Sequence, residues 1–429
     1  MSLIVIALLG LILLFALILL RMPISFAMFI AGFLGMLVVA SPKAAFNIIT
    51  GDIWTQFSSY TMTVIPLYIL MGEIIFRTGV TESLFQSAYK WVGQLRGGMA
   101  STVVLASAGF AAICGSNPAT AATMGTMALP VLNKYKYHPV LSTGTVAAGG
   151  TLGIIIPPST VLLVIALQTE QSVRALFVAS VIPGLMLALL FLLTIFYLCH
   201  RNPDIGPPGP RVSFKEKLIS TVGVLPTLCL FLFVIGGLFL GWFTPTESGA
   251  FGAFGAMVTA LLMGKLTFAK IKEALAGTLR SATMVTTLVV SAMVFSRFLT
   301  ITRLPYDVSE FVTALALPSL VILLVIMVIF IIGGALMDAL GFLIIALPIF
   351  YPTIISLGYD PVWFSVLLCI ITSAGAITPP VGVNVFVVKG LQPEVPVMSI
   401  FKGACYFLVA YAVLVALLIA FPQIITSAV

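Results

Sequence analysis

Charge is scarce in this chain. Of 429 residues only 8% are Asp, Glu, Lys or Arg, two are histidine, and 61% are hydrophobic. A water-facing fold of this length needs more charge and cannot bury that much apolar surface, so a soluble class is excluded. Cysteine is sparse too. Cys114, Cys199, Cys229, Cys369 and Cys405 lie scattered in apolar stretches without metal-ligand spacing, which argues against a disulfide framework or a thiolate metal centre. His138 and His200 stand singly at segment ends. HExxH, GxSxG and Walker A motifs are absent, so the chain is not expected to be an enzyme or to hydrolyse ATP. The alternating pattern of a membrane β-barrel is missing as well. The apolar run Leu3–Leu20 has no basic residue before it and Arg21 directly after it. A signal peptide has the reverse order, so this run is expected to be the first membrane helix.

What the chain has is apolar runs of spanning length, at about 3–20, 24–40, 60–76, 139–168, 175–199, 218–240, 248–264, 282–300, 361–390 and 398–421. They predict an all-α polytopic membrane protein with about ten transmembrane helices. Two further stretches, 98–133 and 319–350, are apolar but interrupted near their centres by small and polar residues. Their halves are short for a span and predict two re-entrant helical hairpins. Segments 44–58, 81–94, 266–280 and 306–317 are mixed in character and predict helices along the interface. The polar, basic, Pro- and Gly-rich stretch 200–217 reads as a cytoplasmic linker between the halves 1–199 and 218–429.

The halves resemble one another. Pro23, Pro139 and Pro157-Pro158 match Pro245, Pro361 and Pro379-Pro380 at an offset of 222. Gly115 and Ala128-Leu129-Pro130 match Gly333 and Ala346-Leu347-Pro348 at an offset of 218, which places a four-residue difference between Pro130 and Pro139. Pro66 and Pro183 have no counterparts. Each half holds five crossings and a hairpin, and an odd number inverts the second half relative to the first. With the termini on the periplasmic side, sixteen Lys and Arg residues fall on or near the cytoplasmic side, and Lys43, Arg174, Arg297 and Arg303 fall outside. That bias supports this orientation, and it explains the net charge of +7 as topology rather than nucleic-acid binding.

Two stretches break apolar segments. Gly149–Thr160 contains Pro157-Pro158, and Ser373–Gly382 contains Pro379-Pro380. Proline removes backbone donors and restricts the residue before it, so a helix cannot run through. Freed backbone groups persist at membrane depth only inside protein or beside a polar cavity. The first hairpin tip, Cys114–Thr123, offers Gly115 for the turn and oxygens on Ser116 and Asn117. Together with carbonyls freed at Gly153–Pro157, these form a hard, weakly charged cage suited to Na⁺, or else a small-residue packing face. The second tip, Gly333–Gly341, carries Asp338. This carboxylate either helps ligate a second Na⁺ with Gly375 and Thr378, carries a proton, or caps a helix. Half-helix N-termini at the tips and at Pro157-Pro158 and Pro379-Pro380 would draw an anionic carboxylate, with Thr123, Ser159, Thr160 and Asn384 as polar contacts. Arg297 either meets that carboxylate, pairs with an acid or snorkels to the surface, and Glu73 and Glu247 read as interface or packing groups.

Several ordered motifs carry a family resemblance over essentially the whole chain. They are Gly-Ser-Asn-Pro-Ala-Thr-Ala-Ala-Thr-Met-Gly at 115–125, Ile-Ile-Pro-Pro-Ser at 155–159, Ile-Thr-Pro-Pro-Val-Gly at 377–382 and Leu-Met-Gly-Glu-Ile-Ile-Phe-Arg-Thr-Gly at 70–79. The chain resembles the large membrane subunit of tripartite ATP-independent periplasmic (TRAP) transporters. The resemblance implies an ion-transporter-superfamily elevator fold with inverted repeats in a bacterial inner membrane. Scaffold helices would lie in 1–76 and 218–300. The mobile elements would include the hairpins and the broken helices 139–168 and 361–390. It implies Na⁺ coupling, no organic cofactor, a separate small membrane subunit and a periplasmic substrate-binding protein delivering an organic acid, with sialic acid favoured over a C4-dicarboxylate. Carried over, the first Na⁺ site falls on Ser116, Asn117, Gly153, Ile156 and Ser159, and the second on Gly333, Asp338, Gly375 and Thr378. The family often has further serines where this chain has Asn117-Pro118. Competing expectations are a single-component anion/Na⁺ symporter and a non-transporting membrane assembly subunit.

Overall fold

The computed structural model describes residues 2–315 and 317–427. Among the described residues the chain is helical, without strands. The first half holds α1 (Leu3–Leu19), α2 (Ile24–Val39), α3 (Pro42–Phe57), α4 (Val64–Arg77), α5 (Val80–Val92), α6 (Gly98–Cys114), α7 (Asn117–Lys134), α8 (Pro139–Gly150), α9 (Thr160–Gln168) and α10 (Val173–Arg201). The second holds α11 (Phe214–Phe239), α12 (Pro245–Leu262), α13 (Phe268–Ile301), α14 (Leu304–Ala314), α15 (Ser319–Leu336), α16 (Ala339–Ser356), α17 (Pro361–Gly375), α18 (Val383–Leu391), α19 (Val397–Ala420) and the short α20 (Gln423–Thr426). Among the described residues seven helical segments are long and apolar enough to cross a membrane, and four apolar helices are shorter. Of the expected interfacial segment 306–317, Ala316 lies outside the described residues.

Helix starts follow local chemistry. Ser213 with Glu216 and Thr244 with Glu247 form capping boxes on α11 and α12. This assigns Glu247 to a helix end. Asp360 accepts from the Trp363 amide (2.8 Å) just before Pro361 opens α17.

Two expectations need correction. First, one offset serves the region where two were expected. Asn117 and Ala339, Lys134 and Ser356, and Pro139 and Pro361 are all 222 positions apart and occupy equivalent helix ends. Pro130 of α7 therefore matches Pro352 of α16, Ser116 matches Asp338, and the four-residue difference disappears. Prolines 348 and 352 both lie inside α16, one turn apart, and the Ala-Leu before Pro348 imitates the Ala-Leu before Pro130. Second, the separate interfacial helix at 266–280 does not exist. It is the start of α13, one helix of 34 residues. At about 1.5 Å per residue this helix outruns the hydrocarbon, so its first turns, with Lys270, Lys272 and Glu273, can sit in water. The equivalent stretch of the first half is split into α3 and α4, and Pro66, in the first turn of α4, has Leu288 as its counterpart. The 200–217 stretch is docked on the first half. The Gly97 and His138 amides donate to Gly206 and Ile205 carbonyls (2.9 and 3.1 Å), and the Gly209 amide donates to Gly93 (2.9 Å).

Two helix groups stand out. In one, α13 packs on α2 and α4, α12 on α4 and α11, and α1 on α2. Its closest seam is made by glycine, since a Cβ on Gly10 or Gly35 would overlap the buried Phe298 ring. In the other, the hairpins α6–α7 and α15–α16 surround α8, α9, α17 and α18 with an exchange. The arm α7 packs on α18, and α16 packs on α9, so each hairpin touches the broken helix of the opposite half. Gly144 of α8 and Gly403 of α19 bring backbones into contact, and a Cβ on Gly144 would lie 2.6 Å from the Gly403 Cα.

The Gly403→Val chain is expected to lose apparent melting temperature in detergent by several degrees, an overpacking cost of about 1–3 kcal/mol. Gly223, with open space around a Cβ, is the control position, and Gly223→Val should melt like the parent.

Candidate functional site

The site begins with two interrupted helices. After Gly150 the chain makes a tight turn over Thr151–Ile154 and resumes as α9 at Thr160. After Gly375 it is irregular until α18 at Val383. Pro157-Pro158 and Pro379-Pro380 are both cis. Pro157 and Pro158 are buried, whereas Pro379 and Pro380 are exposed.

The first hairpin tip docks on the first break. Gly115 adopts φ 65° at the end of α6, a left-handed turn that glycine makes at no steric cost. The Thr160 hydroxyl donates to the Gly115 carbonyl (2.7 Å). A Cβ on Gly115 would stand 2.9 Å from the Pro158 carbonyl oxygen, and one on Gly153 would strike the Ser116 carbonyl oxygen. Ser159 caps α9 by accepting from the Leu162 amide (3.2 Å). Asn117 is buried, accepts from the Ile154 amide (3.1 Å) and donates to Ser373 Oγ (3.3 Å). Ser116, Asn117, Gly153, Ser159 and Thr160 thus come together. Ile156 packs its side chain at the position a Cβ of Gly184 would take, on α10.

The second tip is built differently. Gly375 lies against Gly334, not Gly333, with an added Cβ 2.6 Å from the Gly334 carbonyl carbon. The Gly333 Cα direction is filled by the Phe342 ring across the hairpin. Gly333 is therefore replaced by Gly334 as the glycine that admits the second break, a shift of one residue that turns a helix face by about 100°. The Gly382 amide donates to the Ala335 carbonyl (2.9 Å), and the Thr378 hydroxyl donates to the Ala374 carbonyl (2.8 Å). Asp338 caps α16, its carboxylate accepting from the Leu340 amide (3.2 Å).

A cavity of about 490 Å³ lies where both tips meet α4 and α13. Gly115, Ser116, Asn117, Thr123, Thr160 and Asp338 line it, opposite Glu73 and Ser281. Glu73, read above as packing, thus faces this space, held by Arg77 (3.1 Å), which also pairs with Glu273. Arg297 does not line the cavity. Its guanidinium is clamped in a two-bond pair with Asp52 (2.9 and 2.8 Å), joining α13 to α3, so the pairing reading replaces substrate contact. Pro157, Pro379, Pro380 and Asn384 do not line it either. Asn384 is buried and donates to the Ala147 carbonyl (3.0 Å), tying α18 to α8.

Ser373 was absent from the expected set. Its hydroxyl donates to the Thr151 carbonyl (2.8 Å) and accepts from Asn117 Nδ2 and Tyr411 OH (3.3 and 3.2 Å). Cys369 donates to the Ile154 carbonyl (3.1 Å). Two carbonyls of the first break are thus satisfied from α17. A signal existed, because Ser373 stands 222 positions after Thr151 and repeats a hydroxyl at the start of each break. Among the described residues no group of three His, Cys, Asp or Glu could hold a metal. Any cation here would be held by carbonyl, hydroxyl and amide oxygens, a donor set that suits Na⁺.

Comparison with known proteins matches residues 11–424 to the DctM component of tripartite ATP-independent periplasmic transporters. The C4-dicarboxylate TRAP transporter large permease protein DctM of Pseudomonas aeruginosa is 34% identical over 366 residues, 85% of each chain. The sialic acid TRAP transporter large permease protein SiaM of Vibrio cholerae is 27% identical, over 92% of this chain and 96% of that one. The crystal structure of the Alcanivorax borkumensis YdaH transporter superposes with a TM-score of 0.62 at 16% identity, covering 89% of both, and so shares the fold.

Replacing Ser373 by Ala leaves the Thr151 carbonyl and the Asn117 amide group short of a buried partner. The expected cost is about 1–3 kcal/mol of stability, read as a lower melting temperature in detergent. An unchanged melting temperature would remove Ser373 from the network.

Proposed function

We propose, for a chain that belongs to the DctM component family of tripartite ATP-independent periplasmic transporters, that it moves a small organic anion inward in exchange for the free energy of a Na⁺ gradient. The chain is a membrane transport component of this family and not an enzyme. The observation that carries the finer reading is the arrangement of two hairpin tips and the first broken helix around one cavity. Na⁺ would sit between the first tip and the first break, with oxygens of Ser116, Asn117, Gly153, Ile156 and Ser159 as the candidate set. A second Na⁺ would use the Gly334–Gly375–Thr378 side. The anion would lie in the cavity near Thr123 and Thr160, where helix N-termini favour negative charge.

The interlocked group, α6–α9 with α15–α18, is the proposed mobile body, and α1, α2, α4 and α11–α13 the proposed frame. The two halves would be inverted repeats, with both termini periplasmic and Lys/Arg-rich loops in the cytoplasm of a bacterial inner membrane. The chain would work with a small membrane subunit and a periplasmic binding protein. Relatives named for C4-dicarboxylate and for sialic acid support an organic acid as cargo. Each charge moved inward would draw about 2.3 kcal/mol from a potential of 100 mV.

Proteoliposomes holding the chain with its small subunit, supplied with the cognate binding protein and radiolabelled sialic acid or succinate, test this. Uptake should require an inward Na⁺ gradient and fall at least tenfold in Asn117→Ala. Uptake that ignores Na⁺ would end the coupling claim. Asp338→Asn should keep the helix cap, and so the melting temperature, while weakening the Na⁺ dependence of uptake. Asp338→Ala should lose both, the cap alone being worth about 0.5–2 kcal/mol. Full Na⁺ dependence in Asp338→Asn would leave Asp338 as a cap only.

A further inference from the structure

A second polar cavity, of about 700 Å³, opens at the far end of the helices that form the first. Three helices run between the two spaces. On α9, Thr160 and Val161 line the inner cavity and Gln168 and Thr169 line the other. On α16 the pairs are Asp338–Leu340 and Leu347–Ser356, and on α13 they are Ser281–Val285 and Ser296–Thr300. The separation along α13 is about 20 Å of helix rise. These helices pack on one another, and buried Val164, Leu288, Ala292, Leu343 and Ile344 occupy the stretches between. Two spaces that carry polar side chains are thus joined by one seam with an apolar middle.

Among the described residues one cation lines the outer space, Arg303. Its guanidinium lies over the Tyr306 ring, 4.8 Å from the centroid, which orients it, and the residue is exposed. No carboxylate lies within 4.0 Å of it among the described residues. The acidic residues of α14, Asp307 and Glu310, do not line the cavity. Hydroxyls of Ser296, Thr300, Ser309 and Tyr351 do. Tyr351 is held from behind by Gln171, whose amide donates to its oxygen (3.0 Å) and also to Ser365 (2.7 Å). This end of the seam lies on the face poor in Lys and Arg, which the charge bias assigns to the outside.

We propose that this cavity is the outer vestibule of the transport path, where Arg303 receives the acidic group of the incoming organic anion. An exposed cation with no carboxylate in direct contact, at the mouth of a cleft, concentrates anions there and speeds their entry. Hydroxyl groups around it replace water on the carboxylate. The proposal rests on the transport reading for its direction but not for its test.

Thr300→Cys, in a full chain with Cys229 and Cys405 replaced by Ala, is labelled in intact cells from outside. The probes are two membrane-impermeant thiosulfonates, the anionic ethylsulfonate and the cationic ethyltrimethylammonium reagent. Both should react, and the anionic-to-cationic rate ratio should drop about fivefold in Arg303→Gln, within the range that clefts produce. Arg303→Lys, which keeps the charge, should retain the ratio and guards against a folding effect. No labelling from outside, or a ratio indifferent to Arg303→Gln, overturns the vestibule. Because labelling needs no transport, failed uptake with an Arg303-dependent ratio would reject the coupling claim alone. Successful uptake with an indifferent ratio would reject the vestibule alone.

Discussion

A helix broken in hydrocarbon leaves backbone groups that water cannot reach, and the centre of this molecule is arranged around satisfying them. The second half does this for the first break. Ser373 and Cys369 on α17 donate to the Thr151 and Ile154 carbonyls, and Asn117 from the first tip closes the circuit by accepting from the Ile154 amide and donating to Ser373. Leaving one such buried group unpaired costs about 1–3 kcal/mol, so these few bonds hold the breaks together firmly. Thr151 and Ser373 occupy equivalent positions in the two halves and touch. Contact between equivalents marks the place where an internal two-fold would pass, and the hairpins exchange partners around it, α7 against α18 and α16 against α9.

The halves are not copies. Where the first tip presents Ser116 and Asn117, the second presents Asp338 and Ala339, so one half offers neutral oxygens and the other a charge. The first break is buried and sealed by Gly115 and Gly153, while the second exposes Pro379 and Pro380. Asp338 lines a cavity with the opposite tip, and Glu73 faces the same space from α4. Glu73 is held in an ion pair by Arg77, whereas Asp338 caps a helix, so the two acidic groups at this space are not equivalent.

Much of this was legible in the chain. Membrane class follows from composition, and the family follows from a few ordered motifs. Tips and breaks show themselves because proline and glycine act at single positions. Other features depend on which face a residue presents or on a partner far away in sequence. Gly333 and Gly334 are indistinguishable as letters, yet only Gly334 meets Gly375. The sequence leaves Arg297 open between a substrate, an acid and the surface, and only the fold puts Asp52, on a different helix, beside it. Pro348 imitated Pro130 and shifted the repeat by one turn, hiding the match of Ser116 with Asp338. The charge along the first turns of α13 resembles an interfacial helix, while the absence of a proline, which allows it to run on as one helix, is a quieter signal.

The most direct measurement is the thermal unfolding of the detergent-purified chain titrated with NaCl against KCl at constant ionic strength. A ligand bound only by the folded state stabilises it by about 2.7 kcal/mol at a hundredfold excess over its dissociation constant. The account predicts a saturable rise in melting temperature with Na⁺ alone, lost in Gly153→Val, where a side chain would fill the space against Ser116. Superimposable Na⁺ and K⁺ curves would contradict it.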